Sequence, residues 1–169
     1  GNYATLCPDH AQGLGPDLVV SGTDLDPLWT FLGLEPDSDQ PALWELYPQL
    51  QVGALKLTNG CPFSCTYCTV KHVYGDFEIR PLRRIQAEFD LLLQQGAQHC
   101  AFYDDALLYR ATDCLTPFLQ YVQRQTRPIH LHTPNALNAR FLTQDLAEQM
   151  VQAGFKTFYL GFESASSQW

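Results

Sequence analysis

Three cysteines within eight residues carry the strongest chemical signal in this chain. Cys61, Cys65 and Cys68 form a C-x3-C-x2-C run directly after an apolar segment, residues 54–58. Cysteine thiolates at short spacings commonly bind iron–sulfur clusters. A cubane cluster has four irons, so three ligands leave one iron open to an exogenous molecule, as catalytic zinc sites also keep one position open. We therefore predict a site-open 4Fe-4S cluster at Cys61, Cys65 and Cys68.

Three other interpretations of the cysteines stay open on the sequence alone. A disulfide set is disfavoured, because disulfides belong to small secreted chains and the N-terminus shows no basic-then-apolar signal pattern. A structural zinc site would need a fourth ligand, which His72 could supply. A closed electron-transfer cluster would need a fourth cysteine, from Cys100 or Cys114. Otherwise Cys7, Cys100 and Cys114 are expected to be small buried apolar residues.

Regularly alternating elements follow residue 54 and must position the cysteine run. Apolar segments bounded by turn residues predict four strands, at residues 54–58, 100–103, 129–132 and 157–162. Apolar spacing predicts helices at 81–95 and 115–122, and a third that Thr143 caps and Gly154 ends. A β-α-β-α-β-α-β order is typical of a parallel sheet with right-handed crossovers.

Polar residues follow the predicted strands and give the candidate ligand contacts. Because ligands of parallel sheets lie beyond the carboxyl ends of the strands, we expect these residues to meet the cysteine loop on one face. The candidates are Asp104, Asp105, Asn135, Glu163 and Ser164. The alternatives are a helix cap or solvated strand end for the aspartates, turn chemistry for Asn135 and a structural ion pair for Glu163.

Two histidines alternate with apolar residues in the third predicted strand. His130 and His132 therefore share one face of that strand, either as lining residues or as substrate contacts.

Charge separates the first third of the chain from the rest. The net charge is −8, and residues 1–54 hold eight acidic residues and no Lys or Arg. An acidic chain disfavours direct nucleic-acid binding. With 46% apolar and 17% charged residues and no long apolar run, we expect a folded cytoplasmic protein without a membrane span. In the first third, residues 17–20 predict a short buried strand and residues 27–34 a short helix. A turn is predicted at residues 43–46.

With Tyr67 before the last cysteine, on the loop after the first strand of an α/β barrel, the run resembles that of the radical SAM superfamily. The resemblance implies that Cys61, Cys65 and Cys68 hold the cluster, whose open iron binds S-adenosylmethionine (SAM). One-electron reduction then yields a 5′-deoxyadenosyl radical. The backbone near Tyr67 is expected to meet the adenine.

The sequence departs from the family pattern after the second strand. Many members carry a Gly-Gly-Glu motif there, which holds the SAM amino group, whereas this chain has Tyr103, Asp104 and Asp105. The resemblance implies that one of the two carboxylates accepts from the ammonium group, and it leaves open which one. Glu163 and Ser164 match the position where relatives contact the ribose or the methionine part.

Several phrases resemble the superfamily branch that carries an N-terminal B12-binding domain. They are residues 102–105, 132–135 and 161–164, and residues 1–10 and 15–22 are similar to the end of that Rossmann-like domain. The expected fold is α/β: a remnant of the B12-binding domain (1–34), a linker (35–53) and a partial (β/α) barrel truncated after strand four (54–169). The resemblance implies cobalamin, whose binding motif would lie upstream of Gly1, and methyl transfer, methylthio transfer or ring rearrangement.

Basic residues near the cysteine run suggest a partner. Lys71, Arg80, Arg83 and Arg84 favour either docking of a flavodoxin- or ferredoxin-type reductant, steering of an anionic substrate, or simply a solvated helix turn. The substrate itself is unknown. An open four-stranded sheet would leave unpaired edges, so the chain is expected to be a fragment that associates when expressed alone.

Overall fold

The computed structural model describes residues 1–35, 42–162 and 165. The chain divides into two compact units, one of Gly1–Gln40 with Asn59–Glu78 and the other of Pro41–Thr58 with Ile79–Trp169. In chain order the helices are α1 (Asn2–Leu6), α2 (Pro8–Gly13), α3 (Asp26–Leu32), α4 (Val70–Tyr74), α5 (Leu82–Gln94), α6 (Leu115–Gln123) and α7 (Gln144–Gln152). The strands are β1 (Val52–Leu55), β2 (Thr58–Asn59), β3 (Glu78–Ile79), β4 (His99–Phe102), β5 (His130–His132) and β6 (Phe155–Thr157).

A four-stranded parallel sheet in the order β1-β4-β5-β6 forms the centre of the second unit. Leu55 pairs with Phe102, and His132 pairs with both Ala101 and Thr157. The carboxyl ends of the four strands therefore lie at one edge of the sheet. The prediction of a parallel sheet built from alternating strands and helices is confirmed. A separate two-stranded sheet joins β2 and β3.

Helices α5, α6 and α7 supply the core with one apolar stripe each. Their core residues are fully or almost fully buried: Ile85, Phe89 and Leu92 of α5, Leu115, Phe118, Leu119 and Val122 of α6, and Leu146 and Met150 of α7. These are the i, i+3, i+4, i+7 positions of amphipathic helices. The predicted cap of α7 is confirmed, since the side chain of Thr143 accepts a hydrogen bond from the Leu146 amide.

Alternation along the strands separates two faces of the sheet. Cys100, Phe102 and Leu131 are buried against the helices, and Phe89 and Phe102 each meet the Phe118 ring edge-on. On the opposite face lie smaller or polar side chains, which are part-buried or exposed. We call this the open face of the sheet, because its polar side chains can be reached from solvent.

Two strand boundaries differ from the sequence-based expectation. The first strand starts at Val52 and ends at Leu55, because the chain leaves the ladder at Lys56. The fourth was predicted at 157–162 but is Phe155–Thr157. The buried ring of Phe155 stacks on that of Phe102, so this strand begins at Phe155, directly after Gly154. Beyond Thr157, pairing is reduced to an isolated bridge between Leu137 and Leu160.

Helices dominate what the structure describes of the first unit. The predicted short helix at 27–34 is confirmed as α3, and α1 packs against α4, where the Tyr74 hydroxyl donates to Asn2. The predicted strand at 17–20 is wrong: these residues are part-buried to exposed, and the structure gives them no neighbouring strand in the described chain. An apolar run without a pairing partner leaves its amides unsatisfied and does not become a strand. The turn predicted at 43–46 is a short 3-10 helix, Trp44–Leu46.

Within the described part of the chain, none of the helices is long and apolar enough to cross a membrane.

Candidate cluster and cofactor site

The cysteine loop begins at a glycine whose conformation other residues rarely adopt. Gly60 has a φ of 64°, and a Cβ at this position would lie 2.4 Å from the backbone oxygen of Asp76. Cys61 follows it and is part-buried, whereas Cys65 and Cys68 are exposed. The amide of Cys68 donates to the carbonyl of Cys65 at 3.1 Å, which closes a turn around Tyr67. The loop therefore presents its thiols on a backbone shaped by glycine and by this turn.

The donor set of the loop consists of three thiols, the ligand type that iron–sulfur clusters use. None of the six cysteines forms a disulfide bond. Among the described residues, no three His, Cys, Asp or Glu side chains are arranged to hold one metal ion. Tetrahedral zinc would need its sulfurs about 4 Å apart. A cubane cluster does not need its cysteine sulfurs so close together, because each thiolate binds a different iron. Three soft donors, of which Cys65 and Cys68 are exposed, suit such a cluster.

Cys100 and Cys114 are poor candidates for a fourth ligand. Both are buried in the core of the second unit. Burial raises the pKa of Cys100 to about 12 and that of Cys114 to about 11, and the charge of Asp104 adds to both shifts. Metal ligation requires thiolates, so the interpretation as small buried apolar residues fits these two cysteines. For Cys7, which is exposed, that interpretation is wrong.

Asp104 follows β4 and is buried, with 3% of its surface exposed. Its Oδ1 accepts hydrogen bonds from the amides of Leu57 (2.9 Å) and Thr58 (2.6 Å) and from the Thr58 hydroxyl (2.7 Å). Its Oδ2 is buried without a hydrogen-bond partner. Burial raises the pKa of Asp104 to about 6, although the bonds from Thr58 and Leu57 and the charge of Lys56 oppose the rise. This carboxyl group is therefore held by the backbone that follows β1.

Asp105 is the more accessible of the two carboxylates. Its side chain is 15% exposed and forms an ion pair with Lys56, with 3.5 Å between Nζ and Oδ2. The backbone oxygen of Lys56 accepts from the guanidinium of Arg80 at 2.6 Å, and Arg80 also forms a two-bond ion pair with Glu88. Arg80 therefore braces the chain after β1 and is not a free surface cation.

Polar side chains also connect the ends of β4, β5 and β6. The side-chain Nδ2 of Asn135 donates to the backbone oxygen of Asp104 at 3.3 Å. The buried Thr133 hydroxyl donates to the carbonyl of Thr157 and accepts from the amide of Tyr159, both at 3.2 Å. Asp104, Asp105 and Asn135 thus lie at the same edge of the sheet, and their contact with a ligand or with the cysteine loop stays a prediction.

A row of histidines crosses the open face of the sheet. Nδ1 of His99 lies 2.9 Å from Nε2 of His132, whose Nδ1 lies 3.2 Å from the Thr157 hydroxyl. The ring of His130 is 5.1 Å from that of His99, between centroids. Burial and the charges of His99 and His130 lower the pKa of His132. The lowered pKa favours the neutral form of the His132 ring.

Next to this row, the open face of the sheet borders a cavity of about 470 Å³. Ala54 and Ala101 contribute small side chains to its wall, and Trp44, Tyr47 and Tyr103 contribute aromatic ones. Cavities of this size accommodate small organic ligands.

Two predicted contacts, Glu163 and Ser164, fall outside the described residues. Tyr67 is 62% exposed beside the last cysteine. Sequence reasoning missed His99, Lys56 and Thr58. His99 could have been found from the sequence. If the second predicted strand is extended by one residue to start at His99, this residue shares a face with Ala101 and pairs with His130.

A family model described as the radical SAM superfamily matches residues 55–168. The chain belongs to the radical SAM superfamily. The match covers the last residue of β1, the other three parallel strands, the helices between them and the cysteine loop. The predicted family and the α/β fold class are therefore confirmed.

Curated relatives share short segments with this radical SAM chain. The chain is 38% identical over 47 residues to "Ribosomal protein uS12 methylthiotransferase RimO" of Parasynechococcus marenigrum (strain WH8102), which is 28% of this chain and 10% of that protein. It is 32% identical over 60 residues to the protein of the same name from Moorella thermoacetica, which is 36% of this chain and 14% of that protein. The matched segments thus span about a tenth of the length of these relatives.

Solved structures extend the likeness of fold over most of the chain. The radical S-adenosylmethionine methyltransferase TsrM from Kitasatospora setae, solved with a tryptophan substrate and a SAM analogue, aligns with a TM-score of 0.62 at 16% identity. The alignment covers 79% of this chain and 26% of TsrM. The same protein with cobalamin and a [4Fe-4S] cluster bound aligns with a TM-score of 0.61 at 15% identity, over 81% of this chain and 31% of TsrM.

Proposed function

We propose that the protein is a radical SAM enzyme, in which Cys61, Cys65 and Cys68 hold a site-open 4Fe-4S cluster and SAM occupies its fourth iron. The observation that carries the proposal is the C-x3-C-x2-C loop, whose cysteines form no disulfide, in a chain that belongs to this superfamily. When bound, the cluster supplies the electron that cleaves SAM to a 5′-deoxyadenosyl radical. The protein binds, orients and shields the reactants.

The SAM contacts are proposed for Tyr67 and for the polar residues that follow the strands. Of the two aspartates, we assign Asp105 to the SAM ammonium group, because its carboxylate reaches solvent and already pairs with a cation, Lys56. Asn135 lies at the same edge of the sheet. Glu163 and Ser164 retain the proposed contact with the ribose or methionine part. The cavity beside Tyr103 offers room for a reactant on the open face of the sheet.

Cobalamin-dependent methyl transfer, or a related functionalisation of a C–H bond, is the proposed reaction class. The phrases around Asp104, Asn135 and Glu163 support it, because they resemble the branch with a B12-binding domain. The solved relative TsrM is a methyltransferase with a cobalamin-bound structure, and the curated relatives are methylthiotransferases. Visible absorption of the purified full-length protein tests this. A cobalamin spectrum that survives gel filtration supports the proposal, and its absence after loading with hydroxocobalamin contradicts it.

A flavodoxin- or ferredoxin-type protein is the proposed electron donor. Arg80 is engaged internally, so among the basic residues the exposed Arg83 is the better docking candidate. A cytoplasmic location is proposed and suits six cysteines that form no disulfide, because that compartment keeps thiols reduced.

Anaerobic reconstitution with iron and sulfide tests the central proposal. We expect about four irons per chain, the content of one cubane. We also expect an electron paramagnetic resonance (EPR) spectrum that changes when SAM is added, and 5′-deoxyadenosine after dithionite reduction. Cys61→Ala, Cys65→Ala and Cys68→Ala should each lose the SAM-induced change and the product.

Cys7→Ala is the matched control, since Cys7 is a free, exposed cysteine outside the loop. It should bind the same amount of iron and form the same product as the wild type. The proposal would be ruled out if the wild-type protein binds one zinc ion, or if its EPR spectrum does not change when SAM is added.

A further inference from the structure

The chain between β1 and the cysteine loop does not continue the sheet ladder, and its backbone groups need other partners. The ladder between β1 and β4 ends at the pair Leu55 and Phe102. The carbonyls of Lys56 and Leu57 accept from the side chain and the amide of Arg80, respectively. The amides of Leu57 and Thr58 donate to Asp104. Buried amides require such partners, so Asp104 replaces the missing strand neighbour.

Burial leaves the carboxyl group of Asp104 little access to an external ligand. Three donors between 2.6 and 2.9 Å surround Oδ1, which has only two lone pairs. Oδ2 is buried within a residue that is 3% exposed, and Thr58 is 0% exposed. The donors are two backbone amides and one hydroxyl, so Oδ1 is bonded to the chain itself.

We propose that Asp104 is a positioning residue, which holds the Leu57–Thr58 backbone and thereby fixes the approach of the chain to the cysteine loop. Thr58 precedes Cys61 by three residues, so the anchor lies directly before the first proposed cluster ligand. This inference rests on the proposed function for its effect on the cluster. The anchor itself does not depend on it.

The experiment compares four variants after anaerobic reconstitution. Asp104→Ala removes all three bonds, and Thr58→Val removes only the hydroxyl. Asp104→Asn keeps an oxygen that accepts all three bonds. Asp113→Asn is the matched control, because Asp113 is an exposed aspartate paired with Arg110. The measurements are the rate of iron loss to an iron chelator, the SAM-induced change in the EPR spectrum, and amide hydrogen exchange of the apoprotein.

We expect Asp104→Ala to lose iron at least about tenfold faster than the wild type, since each lost hydrogen bond weakens the anchor several-fold. The rate of iron loss from Thr58→Val should lie between those of Asp104→Ala and the wild type. Asp104→Asn and Asp113→Asn should stay close to the wild type and keep the SAM-induced EPR change. In the apoprotein, only Asp104→Ala and Thr58→Val should speed exchange at residues 57–58 while β5 stays protected.

A contrary result has a distinct pattern. If Asp104→Asn loses the SAM response while every variant retains iron equally, Asp104 is a SAM ligand and the inference is wrong. If Asp104→Ala unfolds, Thr58→Val and Asp104→Asn still decide between the two roles. If the wild type takes up no cluster, the proposed function fails, yet amide exchange at residues 57–58 still tests the anchor. Unchanged exchange in Thr58→Val would overturn it.

Discussion

Two adjacent aspartates with the same local sequence signal have different environments. Asp104 lies in the interior with its Oδ1 bonded to backbone amides, whereas Asp105 reaches solvent and pairs with Lys56. The sequence predicts two acids at the end of a strand and gives no reason to separate them. Their difference comes from the chain after β1, which folds back within reach of one of them. Thr58 and Asp104 are 46 residues apart, so no local sequence pattern predicts the hydrogen bond between them.

The environment of Asp104 predicts a particular pH dependence of stability. Its pKa rises from 3.8 to about 6 on folding, mainly through burial. Its contribution is therefore fully present below pH 4 and is lost as the pH rises through 6. Relative to Asp104→Asn, which does not titrate, the wild type should lose about 3 kcal/mol of unfolding free energy across this window.

Urea unfolding of both proteins between pH 4 and 7 measures this difference. Other titrating groups, including the five histidines, are common to both proteins and cancel in the comparison. A difference that stays constant, or that changes in favour of the wild type as the pH rises, would contradict the assignment.

At the scale of elements, helices were the easiest to predict. Helix α5 extends over Leu82–Gln94, and its buried residues have the predicted spacing because one face of the helix meets the sheet. The cap by Thr143 is equally local, since a hydroxyl binds an amide three residues ahead. Strand ends were harder, because pairing partners decide them. Residues 17–20 have the composition of a strand but no partner in the described chain.

A glycine in β1 allows α5 to pack closely on the sheet. A Cβ on Gly53 would lie 2.3 Å from Cδ2 of Leu92, which is completely buried. Gly53→Ala should therefore destabilise the protein by about 1 to 3 kcal/mol through overpacking. In Leu92→Ala, the added methyl should cost much less, because the space is vacant. A double-mutant cycle by chemical denaturation measures this coupling.

Gly13→Ala is the control for the effect of adding a methyl group. A Cβ at Gly13 meets nothing within 4 Å, and the residue ends a helix. Its stability should equal or slightly exceed that of the wild type. If Gly53→Ala and Leu92→Ala have simply additive effects, the close packing of these two residues is not the cause.

For the molecule as a whole, the sheet has an unpaired side at β1. In the described sheet this strand is bonded to β4 alone, and Val52 on its open face is 58% exposed. Unpaired strand edges favour association with further chains. We expect residues 1–169, expressed alone, to form oligomers in size-exclusion chromatography with light scattering. Val52→Lys should shift them toward the monomer.

Val151→Lys provides a control of equal exposure. Val151 is also 58% exposed but lies on α7, away from the strand edge. A charge there should leave the oligomers unchanged. If both lysines have the same effect, net charge rather than the strand edge governs association. A monodisperse wild-type monomer would contradict the expectation from the sequence altogether.

Gly60 makes one position of the cysteine loop intolerant of any side chain. The backbone oxygen of Asp76 occupies the place of its Cβ, and its φ is positive. A peptide carbonyl cannot rotate aside as a side chain can, so even the smallest addition shifts the main chain on both sides. In a library with fully randomised codons at position 60, screened for iron-loaded protein, deep sequencing should recover GGN codons almost exclusively. Recovery of alanine or serine codons would mean that the two chain segments can separate.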